Sequence, residues 1–288
     1  MISLNPDRPS FRHNDGMSAK RRDDTAALSH ALDAYAPTKI AERVATAGVA
    51  KATLSLVPLF TLAVLAGAFI ALGAMFYLAV VYQFGPPPGA GKLVGAIAFS
   101  LGLLLIVVGG AELFTGNNLI ILARCDGLIG TSALLRNWGV VYAGNLAGAA
   151  ATAVMVSFSG ILGPDSSTFA EQVRQVATAK IALPWDQAFM RGVLCNTLVC
   201  LAVWLCFACH RVTEKAVAIV FPISAFVTLG FEHSVANMFF LPLGVLAGLP
   251  PDAAGIAGNL IAVTAGNIVG GAGFVGVVYW IIYRRDAR

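Results

Sequence analysis

Beyond about residue 52 the polar positions are few and clustered, and between them lie six apolar runs at about 53–82, 93–124, 133–161, 184–208, 214–247 and 255–283. Each exceeds the roughly 20 apolar residues that a helix needs to cross a bilayer core, so six transmembrane helices are predicted. The stretches 83–91 and 248–252 are turns by their Pro and Gly content, 163–168 opens a polar connection running to about Leu183, and 209–215 is the other short break. Two runs are too long for one span. As an unbroken helix, 93–124 would measure roughly 48 Å at about 1.5 Å per residue, against a hydrocarbon core of about 30 Å. The run 214–247 has the same surplus. A helix break is predicted in both, and non-helical backbone at that depth is tolerated only under protein or along a wet cavity.

The surplus falls on matching polar clusters. Gly110-Ala111-Glu112-Leu113-Phe114-Thr115-Gly116-Asn117 and Gly230-Phe231-Glu232-His233-Ser234-Val235-Ala236-Asn237 stand 120 positions apart, and Ala143-Gly144-Asn145-Leu146 is echoed 122 positions later by Ala265-Gly266-Asn267-Ile268. Repeats of about 53–161 and 184–283 follow, and three spans in each force the second copy to start from the opposite side, an inverted repeat. Duplicated halves interrupted at the same place point to a transport site near the bilayer midplane. One side of the membrane receives Arg124, Arg136, Arg211, Lys215, Arg284, Arg285 and Arg288, with the basic tail around Lys20 to Arg22; the other receives Lys92, Arg174, Lys180 and Arg191. This bias places both termini in the cytoplasm.

Composition narrows the partners. With 58% apolar and 12% charged residues the chain is a membrane protein, and a net charge of +4 is too small and dispersed to suggest nucleic acid. The five cysteines lie in or beside apolar segments without a spaced framework, so disulfides are not expected. Residues 1–37 are polar enough to read as a disordered cytoplasmic tail. Residues 38–51 form an amphipathic helix, with Ile40, Val44 and Ala47 on one face, that is expected at the membrane interface. No cleaved signal is expected, because the first apolar run is too long and too late; insertion is by an uncleaved first helix.

The break in the fifth run holds His233, the one histidine within the spans. An ionisable residue at that depth is costly, and an imidazole can meet an anion as a charge or as a hydrogen-bond donor; capping freed carbonyls is the plainer alternative. Glu112 and Glu232 are symmetry mates and read as structural supports that accept hydrogen bonds from backbone N–H groups freed at the breaks. Asn117, Asn118, Asn237, Asn145 and Asn267 offer neutral donors and acceptors for the same purpose. Cys206-Phe-Ala-Cys209-His210 fits the spacing of covalent haem attachment, but its cytoplasmic context favours cysteines packed in a span. The pairs Gly144/Gly148 and Gly266/Gly270 are small-xxx-small contacts. There is no phosphate-binding glycine loop, so ATP is not indicated.

The stretches Gly110-Ala-Glu-Leu-Phe-Thr-Gly116, Gly230-Phe-Glu-His-Ser-Val-Ala-Asn-Met-Phe239, Cys195-Asn-Thr-Leu-Val-Cys-Leu-Ala-Val-Trp204 and Gly266-Asn-Ile-Val-Gly-Gly271 closely resemble the formate/nitrite transporter family, and the likeness runs from about Thr38 to Tyr283. The resemblance implies an all-α, aquaporin-like arrangement of six helices with broken second and fifth helices, assembled as a homopentamer with a pore in each subunit. It implies a Leu-Phe-Thr element, Leu113, Phe114 and Thr115, near the cytoplasmic constriction. Phe99, Leu103 and Phe226 would narrow the path, His233 would stand between the constrictions, and Lys180 and Asn196 would serve the extracytoplasmic vestibule. Such a protein of the cytoplasmic membrane would carry small monovalent weak-acid anions with protons, formate first among nitrite, hydrosulfide, acetate and lactate. It would be no enzyme and need no cofactor or metal. A neutral-solute channel of the aquaporin type is the alternative, although paired Asn-Pro-Ala signatures are absent. A haem-bearing membrane enzyme is a further one.

Overall fold

The computed structural model describes residues 34–85, 89–164 and 167–286, so most of the expected tail lies outside the described residues. The chain is all-helical: α1 Pro37–Ala52, α2 Leu56–Phe84, α3 Gly89–Gly109, a short 3-10 turn Gly116–Ile120 leading into α4 Ile121–Cys125, α5 Thr131–Phe158, α6 Thr168–Ile181, α7 Trp185–Ala208, α8 Val212–Leu229, α9 Ser234–Leu246, and α10 Ala253–Ile268, which continues through a π-helical segment Val269–Val277 into α11 Val278–Tyr283. Among the described residues six helices are long and apolar enough to cross a membrane: α2, α3, α5, α7, α8 and the continuous stretch Ala253–Tyr283. The two over-long runs therefore resolve into a long helix, a non-helical link and a shorter helical piece.

Packing follows the repeat. In the first half α2 lies against both α3 and α5; in the second, α7 lies against α8 and α10. The short pieces cross over, since α9 packs on α5 of the first half while the 3-10 turn packs on the π-helical segment of the second. Close approach of the outer pairs depends on glycine. A Cβ at Gly148 would stand 1.9 Å from the Val64 carbonyl oxygen, and one at Gly270 would stand 2.1 Å from that of Val193.

Two amphipathic helices belong to this scheme. The buried face of α1, with Ile40, Val44 and Gly48, is covered by the 3-10 turn, α4 and α7, so contacts within the chain account for its apolar stripe. The polar connection after 163 contains α6, a helix that the apolar pattern did not announce. Its signals are an N-cap, Ser167, whose hydroxyl accepts from the Ala170 N–H at 3.1 Å, and a buried face of Phe169, Ala170, Val173 and Ala177. That face covers part of α9.

Candidate functional site

Both breaks begin at a glycine. Gly110 (φ 81°) follows α3 and Gly230 (φ 74°) caps α8, each in the left-handed region that other residues avoid. Several of the backbone groups released there are re-paired within the protein. The Glu112 N–H donates to the Leu62 carbonyl (3.2 Å) and that of Glu232 to the Arg191 carbonyl (3.3 Å). Asn145 accepts from the Phe114 N–H (2.8 Å) and donates to the carbonyls of Ala63 (2.7 Å) and Glu112 (2.9 Å). Asn267 repeats this, accepting from the Ser234 N–H (2.9 Å) and donating to the carbonyls of Gly192 (2.8 Å) and Glu232 (3.0 Å).

The glutamates do something other than expected. Their carboxylates take hydrogen bonds from side chains and not from freed backbone amides. Lys51 Nζ lies 2.5 Å from Glu112, whose other oxygen accepts from Asn117 at 2.7 Å; Asn117 donates to Asn137 (3.0 Å), and Asn137 donates back to the Lys51 carbonyl (3.0 Å). In the other half Lys180 Nζ lies 2.9 and 3.0 Å from the two oxygens of Glu232, Asn237 donates to Glu232 (2.7 Å) and to Asn259 (2.8 Å), and Asn259 donates to the Lys180 carbonyl (2.8 Å). Each closed ring ties the end of an amphipathic helix, α1 or α6, to a break. Lys180, expected as a charge waiting in a vestibule, is thus engaged with a carboxylate.

The two breaks meet at Thr115 and His233. Thr115 Oγ1, just before the 3-10 turn, lies 2.9 Å from Nε2 of His233, the N-cap of α9. The opposite ring nitrogen, Nδ1, accepts the Ala236 N–H at 3.1 Å. An imidazole nitrogen that accepts from an amide carries no proton, so the neutral ring holds its hydrogen on Nε2 and donates it to Thr115. The threonine hydroxyl hydrogen is then free for another acceptor. Thr115 is itself held from behind: its carbonyl accepts from Asn196 Nδ2 (3.2 Å) and from the Cys200 thiol (3.3 Å), and Asn196 also reaches Asn118 Oδ1 (2.9 Å) and the Asn267 carbonyl (2.7 Å).

Two cavities approach this pair. One, of about 220 Å³, is lined by Phe99, Phe226 and His233 with Lys92, Lys180, Arg191 and Glu232. The other, of about 380 Å³, lies beside α1 and is lined by Leu103, Leu113 and Gly116 with Arg43, Lys51, Lys215 and Glu112. Phe99 and Phe226 meet edge to face (centroids 5.8 Å), and Phe226 lies over the His233 ring (6.0 Å). Thr115 lines neither cavity and is fully buried between them. Phe114 and Asn196, expected along the path, also line neither. Phe114 turns away onto Trp138 and Tyr142, and Asn196 is fully buried behind Thr115. In the Cys206-to-His210 motif the Cys206 thiol faces the Lys215 carbonyl, and the His210 ring lies tilted against that of Tyr35, centroids 4.3 Å apart.

Lys51, Asn137 and Asn259 were not singled out as site residues. Asn137 and Asn259 stand 122 positions apart, the spacing of Asn145 and Asn267, so the repeat itself carried that signal. Lys51 and Lys180 stand 129 apart. The different spacing hides them from any single offset, since the lysine stands 61 residues before its glutamate in the first half and 52 in the second.

With this geometry in hand the chain can be set beside known proteins. The family profile described as formate/nitrite transporter matches residues 38–281. The chain is 39% identical over 275 residues to the formate channel FocA of Escherichia coli K12, covering 88% of this chain and 96% of that protein. It is 42% identical over 242 residues to a probable formate transporter of Methanothermobacter thermautotrophicus, covering 78% and 88%. Among solved structures it is similar to an FNT family ion channel (TM-score 0.80, 31% identity, 85% of this chain and 99% of that one) and to a pentameric formate channel with formate bound (TM-score 0.72, 38% identity, 79% and 97%).

Proposed function

The chain belongs to the formate/nitrite transporter family, and from that premise we propose that each protomer of a homopentamer conducts formate, together with a proton, through the path that joins the two cavities at Thr115 and His233. The observation that carries this reading is the Thr115–His233 contact of 2.9 Å, a polar pair buried between Phe99 and Phe226 on one side and Leu103 and Leu113 on the other. The two repeats are inverted in the membrane, and the bias of basic residues puts both termini in the cytoplasm.

The chemistry follows from the cost of charge. An anion stripped of water in an apolar slot is penalised heavily, whereas its conjugate acid crosses at a small penalty. The His233 ring donates from Nε2 to Thr115, and Thr115 turns its own hydroxyl hydrogen to the entering carboxylate. The anion therefore exchanges water for a preset donor before it takes a proton that enters from the aqueous phase, the imidazole keeping its own. Because Nδ1 is occupied by the Ala236 N–H, the ring serves as a relay of hydrogen bonds and is not charged in the resting site. The apolar walls then admit the neutral acid.

The test is flux into proteoliposomes of formate, nitrite, hydrosulfide, acetate, lactate and, as a neutral control, glycerol, compared at acidic and neutral pH. Formate uptake that rises as pH falls supports the reading. Glycerol permeation without formate uptake overturns it in favour of a neutral-solute channel.

A further inference from the structure

We infer that the charges which gather the anion are Lys92 and Arg191 at one cavity and Arg43 and Lys215 at the other, while Lys180 and Lys51 are positioning residues that hold the helix breaks. This deepens, and rests on, the transport reading above. Each cavity is lined by three cations against one carboxylate, an excess of two positive charges. The location of that excess is decided by pairing. Lys180 spends its charge on both oxygens of Glu232, and Lys51 on Glu112. A neutral pair at this range projects little field across a cavity. Lys92 and Arg191, like Arg43 and Lys215, form no ion pair among the described residues.

Symmetry supports the division. The Lys–Glu–Asn–Asn ring recurs in both halves, with the lysine on one carboxylate oxygen and the Asn117 carboxamide in the first and on both carboxylate oxygens in the second, as a device that serves the fold is expected to recur. The unpaired cations are reproduced only in part: Lys92 and Lys215 are each the fourth residue of corresponding helices, α3 and α8, whereas Arg191 lies in α7 and Arg43 in α1. Both mouths thus carry net positive potential, which is what attraction of an anion from either side requires. Arg43 is further fixed by its guanidinium lying 4.1 Å over the Tyr35 ring.

The experiment measures potential separately from transport. In full-length protein with Cys125, Cys206 and Cys209 replaced by serine, Leu183→Cys places a thiol in the cavity that holds Lys92 and Arg191. The readout is its labelling rate by a sulfonate-bearing methanethiosulfonate relative to the trimethylammonium reagent. The double variant Lys92→Gln/Arg191→Gln is expected to lower that ratio about tenfold at low ionic strength and by much less at about 0.5 M salt. The charge-neutral double Lys180→Gln/Glu232→Gln is expected to leave it within about twofold of the parent. Ala47→Cys reads the opposite mouth in the same way against Arg43→Gln/Lys215→Gln. An unchanged ratio in the cation doubles, or a tenfold fall in the Lys180/Glu232 double, overturns the inference. Formate flux measured on the same proteins separates the two claims: absent flux in the parent with the predicted ratios rejects the transport reading alone, and normal flux with unchanged ratios rejects this inference alone.

Discussion

At the scale of single residues the proposed relay rests on a hydrogen-bond direction set by one backbone amide. The Ala236 N–H occupies His233 Nδ1 and so assigns the donor to Nε2. Replacing His233 by Phe keeps an aromatic ring against Phe226 but removes both nitrogens. Formate flux is expected to fall more than about tenfold, the loss of one preset donor in a dry site, while the assembly still elutes as the wild type on size exclusion. His233→Asn is expected to keep partial conduction with altered pH dependence, since a carboxamide oxygen can take the N-cap bond while its nitrogen stops short of Thr115. Thr115 separates shape from chemistry. Thr115→Val fills the same volume without a hydroxyl and is expected to reduce flux by about an order of magnitude, whereas Thr115→Ser retains it; equal uptake by the valine and serine variants would remove the hydroxyl from the mechanism.

At the scale of elements, the breaks are held by two kinds of clamp, asparagines on the backbone and Lys–Glu pairs on the amphipathic helices. Removing one partner of a buried pair costs more than the pair contributes, because the remaining charge is stranded. The effect is graded by exposure: the Lys180 side chain is 15% exposed and that of Lys51 31%. Glu232→Gln is therefore expected to destabilise by about 3 kcal/mol and Glu112→Gln by less, about 1–2 kcal/mol after solvent screening. Thermal unfolding in detergent gives the order, and a larger loss for Glu112→Gln would show that exposure does not govern it. At the other end of the chain, α11 is fastened by Arg284 and Trp280 to Asp126, just beyond α4, so the short helix after the first break is gripped from both sides.

At the scale of the whole molecule, the outer faces are apolar. Phe158, Phe221 and Ile261 are among many large exposed side chains, a surface suited to lipid and to neighbouring protomers. Native mass measurement of the detergent-purified protein is expected to give a pentamer; a stable monomer or trimer would count against the proposed assembly. The sequence by itself determined the six spans, the duplication and the place of the breaks, because those rest on run lengths and on local residue order: 93–124 and 214–247 are too long for one helix whatever their neighbours. It also singled out His233, Asn145 and Asn267, while Thr115 was implied by the family resemblance. What only the tertiary structure decided is who faces whom. Glu112 and Lys51 are 61 residues apart and Thr115 and His233 are 118 apart, and no local pattern states that the lysine ending an amphipathic helix will neutralise a glutamate at a break. Nor could periodicity show Phe114 turning onto Tyr142, or Asn196 withdrawing behind Thr115. Those outcomes depend on how two repeats interlock, and the free energy that selects them is the pairing of buried polar groups, which is a property of the packed chain and not of any segment.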